Sequence, residues 1–288
     1  MSAGLVGRAL AFGRMIRFSH SVFALPFALA SAALAARQGG TSAWQLAWIV
    51  VAMVAARSAA MGFNRAVDRW IDARNPRTAG RELPRGALSV AEVWLFVAVS
   101  AGVFVLAAAM LNPLCLALSP VALAIVFGYS YTKRFTAASH LVLGLSLAVA
   151  PVGAWLALRG RFDAAPLALA GAVLLWVAGF DAIYACQDVE FDRREGLHSL
   201  PARIGVAATL CAARAMHVGS VALLAAVSLL APLGWLYLAG VACVAALLAW
   251  EHTLVRADDL SRVMQAFNVN GWVSVVYLVF TAAAAWRG

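Results

Sequence analysis

Stretches of about twenty mostly apolar residues, each closed by a short charged segment, recur along this chain from residue 18 to residue 286. Each is near the length an α-helix needs to cross a bilayer. Nine such spans are expected, over 18–36, 45–63, 89–110, 114–131, 139–157, 164–183, 207–229, 234–253 and 268–286. The runs are rich in Ala and Gly, which suits close helix contact in lipid. They lack the apolar–polar alternation of a membrane β-barrel. The pattern therefore predicts an all-α integral membrane protein, with residues 1–288 as a single domain.

Composition narrows the picture. Charged residues are 12% of the 288, hydrophobic residues 64%, and the mean hydropathy is +0.86, which excludes a soluble globular domain. The start, "MSAGLVGRALAFGRMIRF", reads as a short basic entry into the first span rather than a cleavable signal peptide. Basic residues sort the loops into two sides. Arg8, Arg14, Arg17, Arg65, Arg69, Arg74, Arg77, Arg81, Arg85, Lys133, Arg134, Arg193, Arg194, Arg203, Arg256 and Arg262 fall on one, and Arg37, Arg159, Arg161 and Arg287 on the other. By the positive-inside rule the first side is cytoplasmic, so the amino terminus is expected inside and the carboxy terminus outside. The same bias accounts for most of the net charge of +9, and no nucleic-acid partner is implied. Cys115, Cys186, Cys211 and Cys243 have no metal-ligand spacing and read as small hydrophobic fillers.

Only thirteen carboxylates are present, and two clusters of them need explaining. In "FNRAVDRWIDARNPRT", Asn64, Asp68 and Asp72 recur every fourth residue. At about 100° per residue they share one face of a helix that extends the second span. Arg57 lies on the same face about two turns deeper. In "FDAIYACQDVEFDRREGLHS", Asp181, Tyr184, Asp188 and Asp192 again predict one helical face, with Gln187 beside them. Four spans separate the clusters, so both are expected at the cytoplasmic rim, as in a duplicated unit.

Aspartates converging at a membrane boundary repel one another and lose hydration, and ionisable groups there point to function. Mg²⁺ prefers oxygen ligands and binds through one or two carboxylates together with phosphate oxygens and water. Two facing acidic helix ends would thus hold Mg²⁺ over a diphosphate, while the interleaved arginines and Lys133 contact the remaining phosphate charge. An ion-coupled transporter would more often place its acids at the bilayer midplane.

These residues resemble the UbiA-type membrane-embedded prenyltransferases. Asn64, Asp68 and Asp72 match the motif N-x-x-x-D-x-x-x-D, and Asp181, Tyr184, Gln187, Asp188 and Asp192 match D-x-x-Y-x-x-Q-D-x-x-x-D. Tyr129 and Lys133 match Y-x-x-x-K, and Arg77-Thr78 fit the segment after the first motif. The resemblance, which runs along essentially the whole chain, implies a helical bundle around a central cavity in the inner membrane, capped on the cytoplasmic side by the motif-bearing loops. It implies Mg²⁺-dependent transfer of a polyprenyl chain from its diphosphate to an acceptor, most often an aromatic ring in ubiquinone or menaquinone biosynthesis. Members acting on 4-hydroxybenzoate usually read R-P after the R-T, whereas this chain reads "RTAGRELPRG". "IRFSHSVFALPFALA" and "GLHSLPARIG" look more like a sister branch, often labelled 4-hydroxybenzoate polyprenyltransferase-like. Some of its members prenylate 1,4-dihydroxy-6-naphthoate on the futalosine route to menaquinone.

The expected metal ligands are Asn64, Asp68, Asp72, Asp188 and Asp192. Lys133, Arg65 and Arg69 are expected on the diphosphate, Arg57 and Arg17 on the acceptor carboxylate or the diphosphate. Tyr129, Tyr184 and Gln187 are expected to orient ligands, and Asp181 to serve as a supporting residue or base. His20 and His198 lack defined partners and read as structural, and Asp258-Asp259 as a solvated loop. Two alternatives remain open on the residues alone: prenyl transfer to haem or a glycerol lipid, and a transporter of isoprenoid phosphates.

Overall fold

The computed structural model describes residues 5–16 and 23–287, and every regular element among them is helical. Helix α1 (Leu5–Met15) precedes α2 (Leu25–Ala36), α3 (Ala43–Arg74), α4 (Val90–Leu111), α5 (Pro113–Thr132), α6 (Ser139–Arg159) and α7 (Ala164–Ala185). A 3-10 turn (Cys186–Asp188), α8 (Val189–Arg194) and α9 (Leu200–Ile204) lead into α10 (Val206–Leu230), α11 (Gly234–Thr253) and α12 (Val263–Arg287).

Local chemistry sets several helix ends. Ser42 with Gln45 and Ser89 with Glu92 form reciprocal capping boxes that start α3 and α4. Asn112 caps α5, with Pro113 at the first helical position. Gly160 ends α6 with φ of 63°, a conformation that costs glycine nothing. At Asn75 the backbone turns extended, as a residue before proline must, and α3 stops there.

Among the described residues, eight helices are long and apolar enough to cross a membrane, so the chain is a multi-pass membrane protein. Of the ninth expected span, over 18–36, residues 18–22 lie outside the described residues, and the rest carries the 12-residue apolar helix α2. Arg17 and His20 lie outside the described residues. Conversely, α3 has 32 residues, about 48 Å at 1.5 Å per residue. Its last turns therefore project beyond the apolar zone and carry the first acidic cluster.

Helices adjacent in sequence pack against each other from α3 round to α12, and α2 closes the ring against α12, α6 and α3. The main core lies among α2, α6, α7, α10, α11 and α12, around Trp155, Trp176, Phe180 and Tyr277. Leu95, Leu106, Leu229 and Val279 remain exposed on the outside, as a lipid-facing surface requires. Cys186 is buried, but Cys211 and Cys243 are exposed, so the filler role expected of all four cysteines does not hold for these two. Helix α1 lies against α3 and α4, with Phe12 stacked on Phe96 and Arg8 paired to Glu92 at 2.9 Å.

The loops sort to two ends as the arginine pattern predicted. Arg37 donates to the Pro232 carbonyl and Arg159 to that of Gly40 at one end. At the other, Arg74 pairs with Glu195 and the His198 amide donates to the Lys133 carbonyl.

Candidate active site

A cavity of about 740 Å³ opens inside the ring. Its walls come from α3 to α7 and the segments that follow α3 and α7, with Phe23 and Ala24 just before α2 and Phe267 on α12, while α10 and α11 contribute no lining residue. Most of its depth is apolar, and its polar residues gather where α3 and α7 end.

The helical period places Asn64, Arg65, Asp68 and Asp72 on this wall. Asp68, only 2% exposed, is held by Lys133 at 2.5 Å and Arg134 at 2.9 Å, and accepts from the Asn64 amide at 3.0 Å. Beyond α3 the chain folds back. Thr78 donates to the Asp72 carbonyl at 2.9 Å, and Arg81 reaches the Asp72 carboxylate at 2.7 Å. The other Asp72 oxygen is buried without a hydrogen-bond partner, 4.0 Å from the Arg65 guanidinium.

The second cluster meets the first at this end. Asp188 forms a two-pronged ion pair with Arg77 and accepts from Asn75 at 3.1 Å. Arg77 also donates to the Tyr184 hydroxyl at 2.8 Å. Asp181, Tyr184, Asp188 and Asp192 all line the cavity. They do so without the continuous helix expected, because α7 stops at Ala185 and the 3-10 turn re-aims the chain before α8. Asp181 faces a partner of its own: His140 Nδ1 lies 2.7 Å from its carboxylate.

Arg77 lies outside the spans. Burial works against its charge, but the hydrogen bonds it donates to Asp188 and the fields of Tyr184, Asp188 and Asp72 outweigh it. Its pKa is held above the usual arginine value, so the guanidinium stays cationic.

Two expected ligand contacts do not reach the cavity. Arg69 donates to the Ala66 carbonyl and lies over Trp70, which is 68% exposed. One residue past Asp68 is about 100° round the helix, which turns Arg69 away. Gln187 sits in the 3-10 turn and donates to the Tyr184 carbonyl instead. Tyr129, Lys133 and Arg57 do line the cavity. Arg57 Nε is buried without a hydrogen-bond partner, and no carboxylate among the described residues pairs with this guanidinium. Sequence reasoning missed Asn75, Arg81, Arg134 and His140 as site residues. Arg134 and Arg81 were visible only as loop charge, and His140 carried no spacing signal.

Among the described residues no three His, Cys, Asp or Glu side chains close around a single metal position; Asp68, Asp72 and Asp188 are matched to Arg or Lys instead. Their chemistry still suits Mg²⁺. The cavity presents hard oxygen donors on facing helix ends, and one Asp72 oxygen is buried without a partner.

Residues 24–282 match the model of the UbiA prenyltransferase family. The chain is 33% identical over 242 residues, 84% of its length and 80% of the relative's, to the 4-hydroxybenzoate octaprenyltransferase of Xanthomonas euvesicatoria pv. vesicatoria. It is 34% identical over 228 residues to the enzyme of the same name from Nitrosospira multiformis, covering 78% and 77% of the two chains. Among solved structures, a UbiA homolog from Aeropyrum pernix K1 in its apo form superposes with a TM-score of 0.84 at 35% identity, over 91% of this chain and 96% of that one. A UbiA homolog from Archaeoglobus fulgidus bound to GPP and Mg²⁺ shares the fold, with a TM-score of 0.72 at 19% identity over 96% and 99% of the chains. The joined acidic rims above an apolar cavity thus belong to a prenyltransferase, and the chain is a member of the UbiA prenyltransferase family.

Proposed function

We propose that the protein transfers a polyprenyl chain from its diphosphate to a hydroxylated aromatic acid, of the 4-hydroxybenzoate or 1,4-dihydroxy-6-naphthoate type, in quinone biosynthesis. The observation that carries this reading is the pairing of Arg77 with Asp188 over the cavity mouth. It joins the two carboxylate rims around a space one diphosphate can fill, with an apolar chamber beneath.

Asp68, Asp72, Asp188, Asp192 and Asn64 are the residues to hold Mg²⁺, as the A. fulgidus homolog's complex with GPP and Mg²⁺ encourages. When bound, the metal supplies Lewis acidity that lowers the cost of expelling diphosphate. Lys133, Arg77, Arg81 and Arg65 are cations already at the rim. They exchange carboxylate partners for phosphate oxygens and neutralise the leaving group as the allylic carbon–oxygen bond breaks, its electron pair departing with diphosphate. The acceptor ring attacks carbon 1 of the chain, and Asp181 takes the ring proton, returning the C–H electrons to the aromatic system. Arg57 is placed to bind the acceptor carboxylate: a half-buried guanidinium with no carboxylate partner among the described residues gains much from an anion. Apolar walls keep water from the allylic cation, which would otherwise end as an alcohol.

The motif end carries most of the chain's arginines, so it faces the cytoplasm by the positive-inside rule, with the protein in the inner membrane. The test incubates membranes with Mg²⁺, a radiolabelled allylic diphosphate and each acceptor, and reads products by mass spectrometry. A prenylated aromatic acid is expected, and Asp68→Ala or Asp188→Ala should abolish it while the protein stays in the membrane. Full activity in both variants ends the metal assignment. Product only with haem or a glycerol lipid replaces the aromatic acceptor.

A further inference from the structure

His140 stands in the first turn of α6, 4% exposed, on the cavity wall beside Ser139. Both of its ring nitrogens are engaged. Nδ1 is 2.7 Å from Asp181 Oδ2 on α7, and Nε2 is 3.1 Å from the backbone nitrogen of Leu200, the first residue of α9. A backbone amide can only donate, so Nε2 is the lone-pair nitrogen, and the ring proton sits on Nδ1 and points at Asp181. The imidazole is therefore neutral in this arrangement, with its tautomer fixed by Leu200. Asp68, Asp72 and Asp188 are each matched to an Arg or Lys. Asp181 has a neutral donor instead, and that donor engages a single oxygen.

From this geometry we infer that His140 is the positioning residue for Asp181, holding one carboxylate oxygen so that the other is presented to the acceptor. This deepens the proposed function and rests on its assignment of Asp181 as proton acceptor. The physical reason is rotational. A carboxylate with no fixed donor turns about its terminal torsion. A neutral donor on Oδ2 sets the plane of the group without cancelling the charge the base needs. His140 does not touch the acceptor in this scheme; it acts through Asp181. The proton balance is simple: the prenylated ring carbon gives its proton to Asp181 Oδ1, and His140 keeps its own throughout.

Side-chain chemistry gives the discriminating variants. Glutamine can donate to Asp181 through its amide nitrogen and accept from Leu200 through its oxygen, so His140→Gln preserves both bonds. His140→Leu preserves bulk and neither bond. Purified enzyme in detergent with Mg²⁺, donor and acceptor is expected to show His140→Gln within about threefold of the parent kcat. His140→Leu is expected to fall by about 10–100-fold, the usual cost of losing an orienting partner, with the donor KM unchanged. Loss of packing alone would not spare the donor KM or be repaired by glutamine.

Asp181→Asn separates the two claims. Full activity in Asp181→Asn removes the base assignment and this inference with it. An inactive Asp181→Asn beside a His140→Leu of parental rate overturns the positioning role alone, as does a His140→Gln as slow as His140→Leu. Should His140→Leu fail to accumulate, Leu200→Pro carries the test. It deletes the amide that fixes the tautomer and leaves His140 itself in place, at a first helical position where proline is tolerated. A several-fold loss of kcat with the donor KM intact is expected there, and an unchanged kcat overturns the proposal.

Discussion

Arg77 and Asp188, 111 residues apart in the chain, close the two acidic rims into one mouth. The guanidinium also reaches the Tyr184 hydroxyl, while Asn75, two residues before it, donates to the same aspartate. Asn75 accepts from the Arg77 amide at 2.9 Å, the side chain–backbone turn typical of Asn. The residue that ends α3 thus also aims the arginine. One short segment links the end of the first motif to the middle of the second.

Replacing Arg77 should weaken the grip on the donor more than it slows chemistry. A charge-assisted hydrogen bond to a diphosphate contributes about 1.5–3 kcal/mol, which is about 10–100-fold in affinity. Arg77→Ala is expected to raise the KM for the allylic diphosphate by that factor, with Arg77→Lys in between because a point charge replaces a fork. Initial-rate kinetics over a range of donor concentration decide it, and an unaltered donor KM would show that Arg77 only staples the loops.

Arg57 yields a prediction about the other substrate. Its guanidinium lines the cavity deeper than the acids and has no carboxylate partner. Arg57→Leu should raise the KM for a hydroxylated aromatic acid at least about tenfold, the cost of one charge-assisted contact. It should leave the KM for the same phenol lacking its carboxylate untouched. Equal losses for both phenols would mean that Arg57 supports the fold or the diphosphate instead.

Metal dependence follows from the donor set. Chelation with EDTA should stop product formation, and added Mg²⁺ should restore it. Asp72 has one oxygen without a hydrogen-bond partner, so Asp72→Asn should raise the Mg²⁺ concentration for half-maximal rate by about tenfold or more, given that carboxylates dominate Mg²⁺ binding. Activity that survives exhaustive chelation would remove the metal from the mechanism.

The site's acids were legible in the sequence for a mechanical reason. Asn64, Asp68 and Asp72 keep helical register inside a single helix, so spacing alone gives their common face. The second cluster kept its common wall but not its helix, because Cys186–Asp188 form a 3-10 turn, and no periodicity reports a 3-10 break. Arg69 was misplaced by treating charge as location, although its angle from Asp68 already turned it outward. Arg81 and His140 were invisible for a different reason: their partners lie across loops or on other helices. Arg81 meets Asp72 only because residues after Asn75 fold back, and His140 meets Asp181 only through the packing of α6 on α7. The ring of spans was legible from hydropathy, because each long apolar run became a helix of about the same bounds.

Away from the cavity, Asn270 should be a stability residue with no part in the reaction. Its Oδ1 accepts from Trp176 Nε1 at 2.6 Å and its Nδ2 donates to Glu251 Oε1 at 2.9 Å. Asn270 and Glu251 are 0% exposed, so neither partner can turn to water when the amide is removed. Asn270→Leu would strand an indole N–H and a carboxyl oxygen at about 1–3 kcal/mol each, and thermal unfolding in detergent should move down accordingly. Removing the orphan as well should recover part of that loss, so Asn270→Leu with Glu251→Leu is expected to unfold at a higher temperature than Asn270→Leu alone. Activity per folded molecule should stay near the parent value in both, because neither residue lines the cavity. A single variant as stable as the parent would show that the Trp176–Asn270–Glu251 hydrogen bonds add nothing to the packing of α7, α11 and α12.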